Sequence, residues 1–358
     1  MPAEQSNTVL DSARHEISAC WNLNNLELTP IKLSENHTFV ANSDGNKFIL
    51  RCSPLDHRTK SAIQAELDFI LLTSNFNLDL HLCKPILNRS QEYILQLKLY
   101  DDKAWYAVLF EYAQGTDPTQ QWSGLTDTNV FEAYGRTLAM LHQASMHKSG
   151  DVNKWNQIKD NIPILDQLHG GASGIERIQS RAELGHVPSK MLLNLWHLKI
   201  APFVKSCGQP SDGTFGIIHG DLNISNYFTK RADDKTDLWV FDFDQVHQNW
   251  FGYDIGVVLH MIQFFDENSS NMKIENFDAK SIRSAFLSGY AKNFTPMVDE
   301  GHLEPSMLNG FELLREYSHT AIAVDILFQV SVGKKFEESI VSFCKLCSER
   351  FENKYASN

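Results

Sequence analysis

Asp221, Asn226 and Asp242 are the residues of this 358-residue chain whose types and spacing suit chemistry. They lie in Ile217-Ile218-His219-Gly220-Asp221-Leu222-Asn223-Ile224-Ser225-Asn226 and in Val240-Phe241-Asp242-Phe243-Asp244. Two apolar residues run into a turn bearing a carboxylate, and an amide follows five residues later. Sixteen residues beyond the amide, the run Trp239-Val240-Phe241 delivers a second carboxylate, with a polar, turn-like stretch from Arg231 to Asp237 between them. The pattern reads as strand, loop, short hairpin, strand end. Phosphoryl transfer needs such a set: a group that orients an attacking hydroxyl and takes its proton, and Mg²⁺ to hold the nucleotide phosphates. Mg²⁺ takes oxygen ligands, one or two of them from carboxylates. Asp221 suits the first task, and Asn226 with Asp242 the second. Asp and Asn also build ordinary turns, but a turn alone does not call for three such residues, two of them placed behind apolar runs.

His219-Gly220-Asp221-Leu222-Asn223-Ile224-Ser225-Asn226 followed by Phe241-Asp242-Phe243-Asp244 resembles the aminoglycoside phosphotransferase family. That family has a protein-kinase-like fold and includes choline kinases and type II homoserine kinases, and the chain looks nearest to bacterial homoserine kinase-like proteins. Gly220 stands where protein kinases carry Arg, and Asn223 where they often carry Lys, which points to the small-molecule branch. The resemblance runs by motif from about Glu35 to Asp254 and implies an α+β, bilobal fold. A small antiparallel-sheet lobe would span 1–113 and bind the nucleotide; a larger, mainly helical lobe would span 114–358 and hold the acceptor. ATP and Mg²⁺ are the implied cofactors. Asp221 would be catalytic, Asn226 and Asp242 would bind metal, and Asp244 would serve a second metal or the substrate. Alternation puts Asp242 and Asp244 on one side if the strand continues that far. His219 and Asp254 would support the loop, Asp254 also as an N-cap.

The elements that must position these groups follow from pattern. Val9 to Trp21 has helical spacing. Thr38-Phe39-Val40-Ala41 and Lys47-Phe48-Ile49-Leu50-Arg51 flank an Asp-Gly turn signal at Asp44-Gly45 and predict a hairpin. The resemblance places this hairpin over the nucleotide phosphates and makes Arg51 its cation, with Lys47 as competitor. Arg for Lys is not neutral, since Arg binds as a planar fork. The turn before it, Leu33 to Thr38, contains no glycine, leaving Ser34, Asn36 and local N–H groups to meet phosphate. Arg58 to Leu72 reads as a helix whose Glu66 would pair with Arg51, Asp68 being the alternative partner. Strands at Tyr93–Leu99 and Trp105–Phe110 surround a turn at residues 100–103. By resemblance, the backbone of Glu111, Tyr112 and Ala113 would then meet the adenine edge, as a hinge does. Further helices are predicted around Phe131–Leu141, over Trp155–Leu168, after a break at residues 170–174, over Met191–Val204, and at Ala279–Asn293, Met307–Val330 and Glu337–Phe351. His142 reads as a packed structural histidine. Acids at Glu300, Glu304, Glu312 and Glu316 are candidates to bind a substrate amine, or are solvated helix faces.

Composition sets the class. Hydrophobic residues make up 42% and charged residues 21%, as in ordinary globular proteins. The formal net charge of -12 opposes a general nucleic-acid binder, which needs a basic face. No apolar run nears the roughly 20 residues of a membrane span, and the first residues show no secretory pattern, so a cytoplasmic location is the default. The six cysteines are scattered and imply no disulfide framework; Cys344 and Cys347 fall on a helical pattern. The expected function is ATP-dependent transfer of the γ-phosphate to a hydroxyl of a small, amine-bearing metabolite or antibiotic. A bacterial Ser/Thr protein kinase of the same fold, or a non-catalytic nucleotide-binding protein, are the rival readings. The oligomeric state is not readable.

Overall fold

The hairpin predicted around Asp44-Gly45 joins β2 (His37–Ser43) to β3 (Asn46–Pro54) in register from His37↔Cys52 to Ser43↔Asn46. Asp44 and Gly45 both have positive φ, at 47° and 83°, which is the backbone that a tight two-residue hairpin loop requires. The computed structural model describes residues 13–33, 36–76, 79–99, 103–118, 122–146, 158, 172–211, 213–232, 235–270, 272, 274–336 and 338–355. Ser34, the start of the first predicted helix, the turn at 100–102, most of Trp155–Leu168 and residues 170–171 lie outside them.

The described chain forms two compact units. The first comprises 1–125, 143–162 and 224–246; the second comprises 126–142, 163–223 and 247–358. They differ from the expected lobes 1–113 and 114–358, because the first unit also takes in the segment that carries Asn226, Asp242 and Asp244.

In the first unit, β1 (Glu27–Leu33), β2, β3, β5 (Ile94–Leu99) and β6 (Lys103–Glu111) build an antiparallel sheet in the order β1-β2-β3-β6-β5. Phe39, Leu50, Cys52, Ala107 and Leu109 bury one face of the sheet against Ile17 and Trp21 of the helix over 13–21. The strands β3 and β6 are the central pair, so Arg51 sits where the backbone is held from both sides. The helix Lys60–Ser74 is capped by the Thr59 hydroxyl, which accepts from the Ala62 N–H at 3.2 Å. It buries Ile63, Leu67, Phe69 and Ile70 and, unusually for an acid, Glu66. A smaller sheet joins β4 (His81–Leu82), parallel, to the hairpin of β8 (Tyr227–Ala232) and β9 (Lys235–Val240).

The second unit is mainly helical, with one two-stranded ladder of β7 (Phe215–Ile218) and β10 (His247–Trp250). The helix Phe251–Asn268 is buried along most of its length. Helices Thr128–Met146 and Ala279–Asn293 approach so closely that a Cβ on Gly135 would stand 2.0 Å from the Phe286 carbonyl oxygen, and one on Gly289 would stand 2.1 Å from that of Glu132. Helix Ala172–Glu183 begins inside the run read as a break. The helix predicted over Met191–Val204 is interrupted: Val187–Leu195 passes through a wide π turn at Trp196–Ile200 into Ala201–Ser206. Pro202 accounts for this, since its ring clashes with a helical carbonyl and it has no N–H. Helices Pro305–Ser331 and Glu338–Tyr355 complete the unit, and Cys344 and Cys347 pack against Ala323 between them. Among the described residues no helix is long and apolar enough to cross a membrane.

Candidate active site

The residues expected to carry chemistry fall into two sets, one in each unit. In the first unit, Arg51 on β3 is 5% exposed and Glu66 on the neighbouring helix 0%. Nη2 of Arg51 lies 2.8 Å from one Glu66 oxygen and donates to the other at 2.9 Å. Arg58 Nη1 approaches the same carboxylate at 2.5 Å. Burial alone would push the Glu66 carboxyl up, but the two guanidiniums more than reverse this and hold it below the usual carboxylate range. The alternative partner Asp68 instead accepts from Gln64 at 3.1 Å. Lys47 is exposed, with its ammonium 5.6 Å from the centre of the Tyr112 ring.

Arg51, Glu66, Phe110, Glu111, Tyr112, Ala113, Asn226 and Asp242 all line one cavity of about 440 Å³ within this unit. Its lining mixes apolar side chains, Ile49, Ile70, Phe110 and Phe243 among them, with the charged groups, and the Arg51 guanidinium lies 5.1 Å from the centre of the Phe110 ring. The Arg51 guanidinium stands 3.8 Å from Asp242 Oδ1, and its Nε–H, also buried, has no hydrogen-bond partner among the described residues. Glu111 donates its N–H to the Lys84 carbonyl at 2.9 Å, which commits one of the groups expected at an adenine edge.

The β8–β9 hairpin sets the spacing of Asn226 and Asp242. Its first pair is Tyr227↔Val240, and the Phe241 N–H donates to the Asn226 carbonyl at 3.0 Å. The two residues therefore flank the base of one ladder. The strand does not continue through Asp242, as alternation with Asp244 would need. Asp242 turns into the left-handed region at φ 64° and leads into a 3₁₀ turn over Phe243–Gln245. Asp tolerates this backbone better than most residues. Asp244 is held by a different device. Its carboxylate accepts from Asn36 Nδ2 at 2.9 Å, and Asn36 Oδ1 accepts from the Ser53 hydroxyl at 2.6 Å. Asn36, expected to meet phosphate, thus has its amide engaged with Asp244 and Ser53. Burial and the adjacent Asp242 charge push the Asp244 carboxyl up to about 7. Asn226 and Asp242 both line the cavity and offer oxygen donors, which suit a hard divalent cation, whereas Asp244 is not among the lining residues.

In the second unit, β7 delivers Ile217 and Ile218 and the chain turns at Gly220, whose φ of 80° favours glycine. Asp254 receives this turn: its two carboxylate oxygens accept the N–H groups of His219, at 3.0 Å, and Gly220, at 2.8 Å. Asp254 is not an N-cap, because the helix starts at Phe251 with Trp250 as its cap. His142 lies 3.2 Å from Asp254 through Nε2 and 2.7 Å from the Tyr290 hydroxyl through Nδ1. Burial pulls the imidazole below its usual value, and the Asp254 carboxylate opposes this in part. Burial alone would raise the Asp254 carboxyl, yet His142, His219 and the Gly220 N–H hold it below its usual range.

Asp221 carries two contacts that the motif does not specify. Asn223 Nδ2 donates to Asp221 Oδ2 at 3.1 Å, and Arg315 Nη2 donates to Oδ1 at 2.6 Å. Arg315 comes from the helix Pro305–Ser331, 94 residues along the chain. Two of the four acids considered for amine binding, Glu312 and Glu316, are engaged with cations. Glu316 meets Lys354 at 2.8 Å and Arg350 at 3.2 Å, and Glu312 meets Arg283 at 2.7 Å.

Comparison with known proteins shows the family and the fold. The model of the phosphotransferase enzyme family matches residues 27–291. An uncharacterized protein of Synechocystis sp. is 27% identical over 255 residues, which is 70% of this chain and 61% of that protein. The chain thus spans about three-fifths of that relative's length. Among solved structures, an amicoumacin kinase in complex with AMP-PNP, Ca²⁺ and Ami superposes with a TM-score of 0.69 at 16% identity, covering 96% of this chain and 93% of that one. A microcompartment-associated aminopropanol kinase gives 0.59 at 17%, covering 96% and 98%. The ethanolamine kinase of Plasmodium vivax gives 0.57 at 11%, covering 94% and 85%. At these identities the superpositions establish the shared kinase-like α+β fold.

Proposed function

Because the chain belongs to the phosphotransferase enzyme family, we propose that it transfers the γ-phosphate of ATP to a hydroxyl of a small molecule. One observation carries this reading: the Arg51–Glu66 pair, Asn226 and Asp242 line a single cavity together with apolar and aromatic side chains. Phe110 and Tyr112, which also line it, suit a purine base. Arg51, aimed by Glu66 and with an uncommitted Nε–H, meets the phosphates. Asn226 and Asp242 hold Mg²⁺, with Asp244 as a further oxygen donor. When bound, Mg²⁺ supplies charge neutralisation along the phosphates.

Asp221 orients the acceptor hydroxyl and takes its proton as the new P–O bond forms and the bond from the γ-phosphorus to the β–γ bridging oxygen breaks, releasing ADP. Asn223 and Arg315 fix its carboxylate, and Asp254 fixes the loop behind it. Catalysis by such a site is mainly positioning and charge stabilisation.

The test is ADP release by purified protein with Mg·ATP across a panel of hydroxylated metabolites. Acceptor-dependent turnover is expected. In Asp221→Asn it should fall by roughly 10²- to 10⁴-fold, with nucleotide affinity within a few-fold of the parent. A protein that binds no Mg·ATP, or an Asp221→Asn variant with full turnover, refutes the proposal.

A further inference from the structure

We propose that Arg315 is the anion-binding residue of the acceptor site, so that the acceptor is a small hydroxy acid or hydroxylated amino acid, not a simple amino alcohol. This rests on Asp221 being the group that meets the acceptor hydroxyl. The charged side chain standing against Asp221 is a cation, at 2.6 Å. Two acids on the helix that carries Arg315 are paired within the protein, Glu316 with Lys354 and Arg350, Glu312 with Arg283. A guanidinium has five N–H donors. Among the described residues Arg315 uses two, one to Asp221 and one to the Tyr253 hydroxyl at 3.4 Å. The rest are available to a ligand, and the side chain is 14% exposed beside an Asp221 that is 29% exposed.

The group is also held in place for the task. Tyr253 accepts from Arg315 and donates to the Ser318 hydroxyl at 3.2 Å, one turn along the helix that carries Arg315. A fork fixed before binding spends little entropy on capturing a carboxylate. His319, also one turn along from Arg315, adds no positive charge of its own: burial lowers it to about 4. The geometry also bears on the chemistry. A guanidinium on Oδ1 competes with the acceptor hydroxyl for the base, and an acceptor carboxylate that shares the guanidinium relieves that competition. Because one guanidinium must reach both groups, the hydroxyl and the carboxylate are separated by only a few bonds.

Matched acceptors that differ by one carboxylate test this: homoserine against 3-aminopropan-1-ol, and serine against ethanolamine. In the wild-type protein at least one acid should exceed its decarboxylated partner in kcat/KM by ten-fold or more. Arg315→Gln should raise KM for that acid ten-fold or more relative to KM for its amine partner, whatever common loss of kcat both share through Asp221, and so erase the preference. Arg315→Lys should keep part of it. Wild-type preference for the amines overturns the proposal without any variant. So does Arg315→Gln slowing both members equally with the ratio kept, which would make Arg315 only a positioning residue for Asp221. Calorimetric titration of the same acids with Mg·ADP present separates the two readings. Arg315-dependent binding of an acid without turnover of any acceptor sinks the kinase reading and keeps the anion site. Turnover of amines without Arg315-dependent preference does the reverse, and absence of both acid binding and acid turnover overturns the anion site.

Discussion

Glu66→Gln should be among the most destabilising isosteric changes available to the first unit. The Glu66 carboxylate is 0% exposed and takes Arg51 at 2.8 Å and Arg58 at 2.5 Å. An amide neutralises neither guanidinium, and its N–H₂ confronts their donors. Removing one partner of a buried ion pair costs about 3–5 kcal/mol, mostly because the remaining charge is left uncompensated. Two cations remain here, so the upper part of that range is expected. Amide hydrogen exchange along β3 and β6 reads this unit directly and should accelerate by roughly 10³-fold or somewhat more, at about 1.4 kcal/mol per decade. Adding Arg58→Met to the variant should recover part of the loss by removing one orphaned cation. The pH dependence has a definite sign. Because the folded carboxyl lies below its unfolded value, its stabilisation is complete above about pH 4.3 and drains as pH falls through the folded value. Glu66→Gln should lack that acid-side loss. A cost under about 1 kcal/mol, or a double variant less stable than Glu66→Gln alone, would refute the reasoning.

Asp242→Asn should abolish Mg²⁺-dependent tightening of nucleotide binding while leaving metal-free binding within a few-fold, measured by titration with and without chelator; equal Mg²⁺ dependence in both proteins would remove Asp242 from the metal site. Asp254→Asn presents an N–H₂ group to at least one donor of the loop or His142 and should cost about 2–4 kcal/mol, read as a lower urea midpoint; an unchanged midpoint would mean the loop holds without it. Gly135→Ala forces a Cβ onto the Phe286 carbonyl at 2.0 Å and should lower the thermal midpoint by an amount equivalent to about 2–3 kcal/mol or more; a midpoint within one degree would show that the two helices separate freely.

Local signals gave the fold and much of the chemistry. The Asp44-Gly45 turn was legible because few residue pairs accept two positive φ values in succession. The run from His219 to Asn226 was legible because the turn, the carboxylate and the amide are neighbours in the chain. What escaped was decided over long separations or by competition between hydrogen bonds. Arg315 reaches Asp221 across 94 residues, from a helix whose pattern gives no sign of which turn faces the loop. Arg58 is one of many surface-type arginines until the helix after it places Glu66 beside it. Asn36 was drawn to phosphate by its loop position, but a buried carboxylate at Asp244 claims its amide. Asp254 looked like a cap because it precedes an apolar run; the helix begins three residues earlier, and that shift turns its carboxylate onto the loop.

The hairpin between Asn226 and Asp242 separates two properties that sequence spacing confounds. The two residues flank the base of the ladder at Tyr227↔Val240, while the far end lies at Ala232↔Lys235. Their mutual geometry is set at the closed base and is indifferent to how much chain is carried beyond the far end. Extra residues between Ala232 and Lys235 would cost only loop entropy, about 0.6 kcal/mol for each doubling of length. The interval of sixteen residues is therefore not a ruler for the site. A fluorophore or affinity peptide carried there is an attachment point that leaves both oxygen donors where they are, and family members with longer or shorter arms need not differ in how they hold the ion.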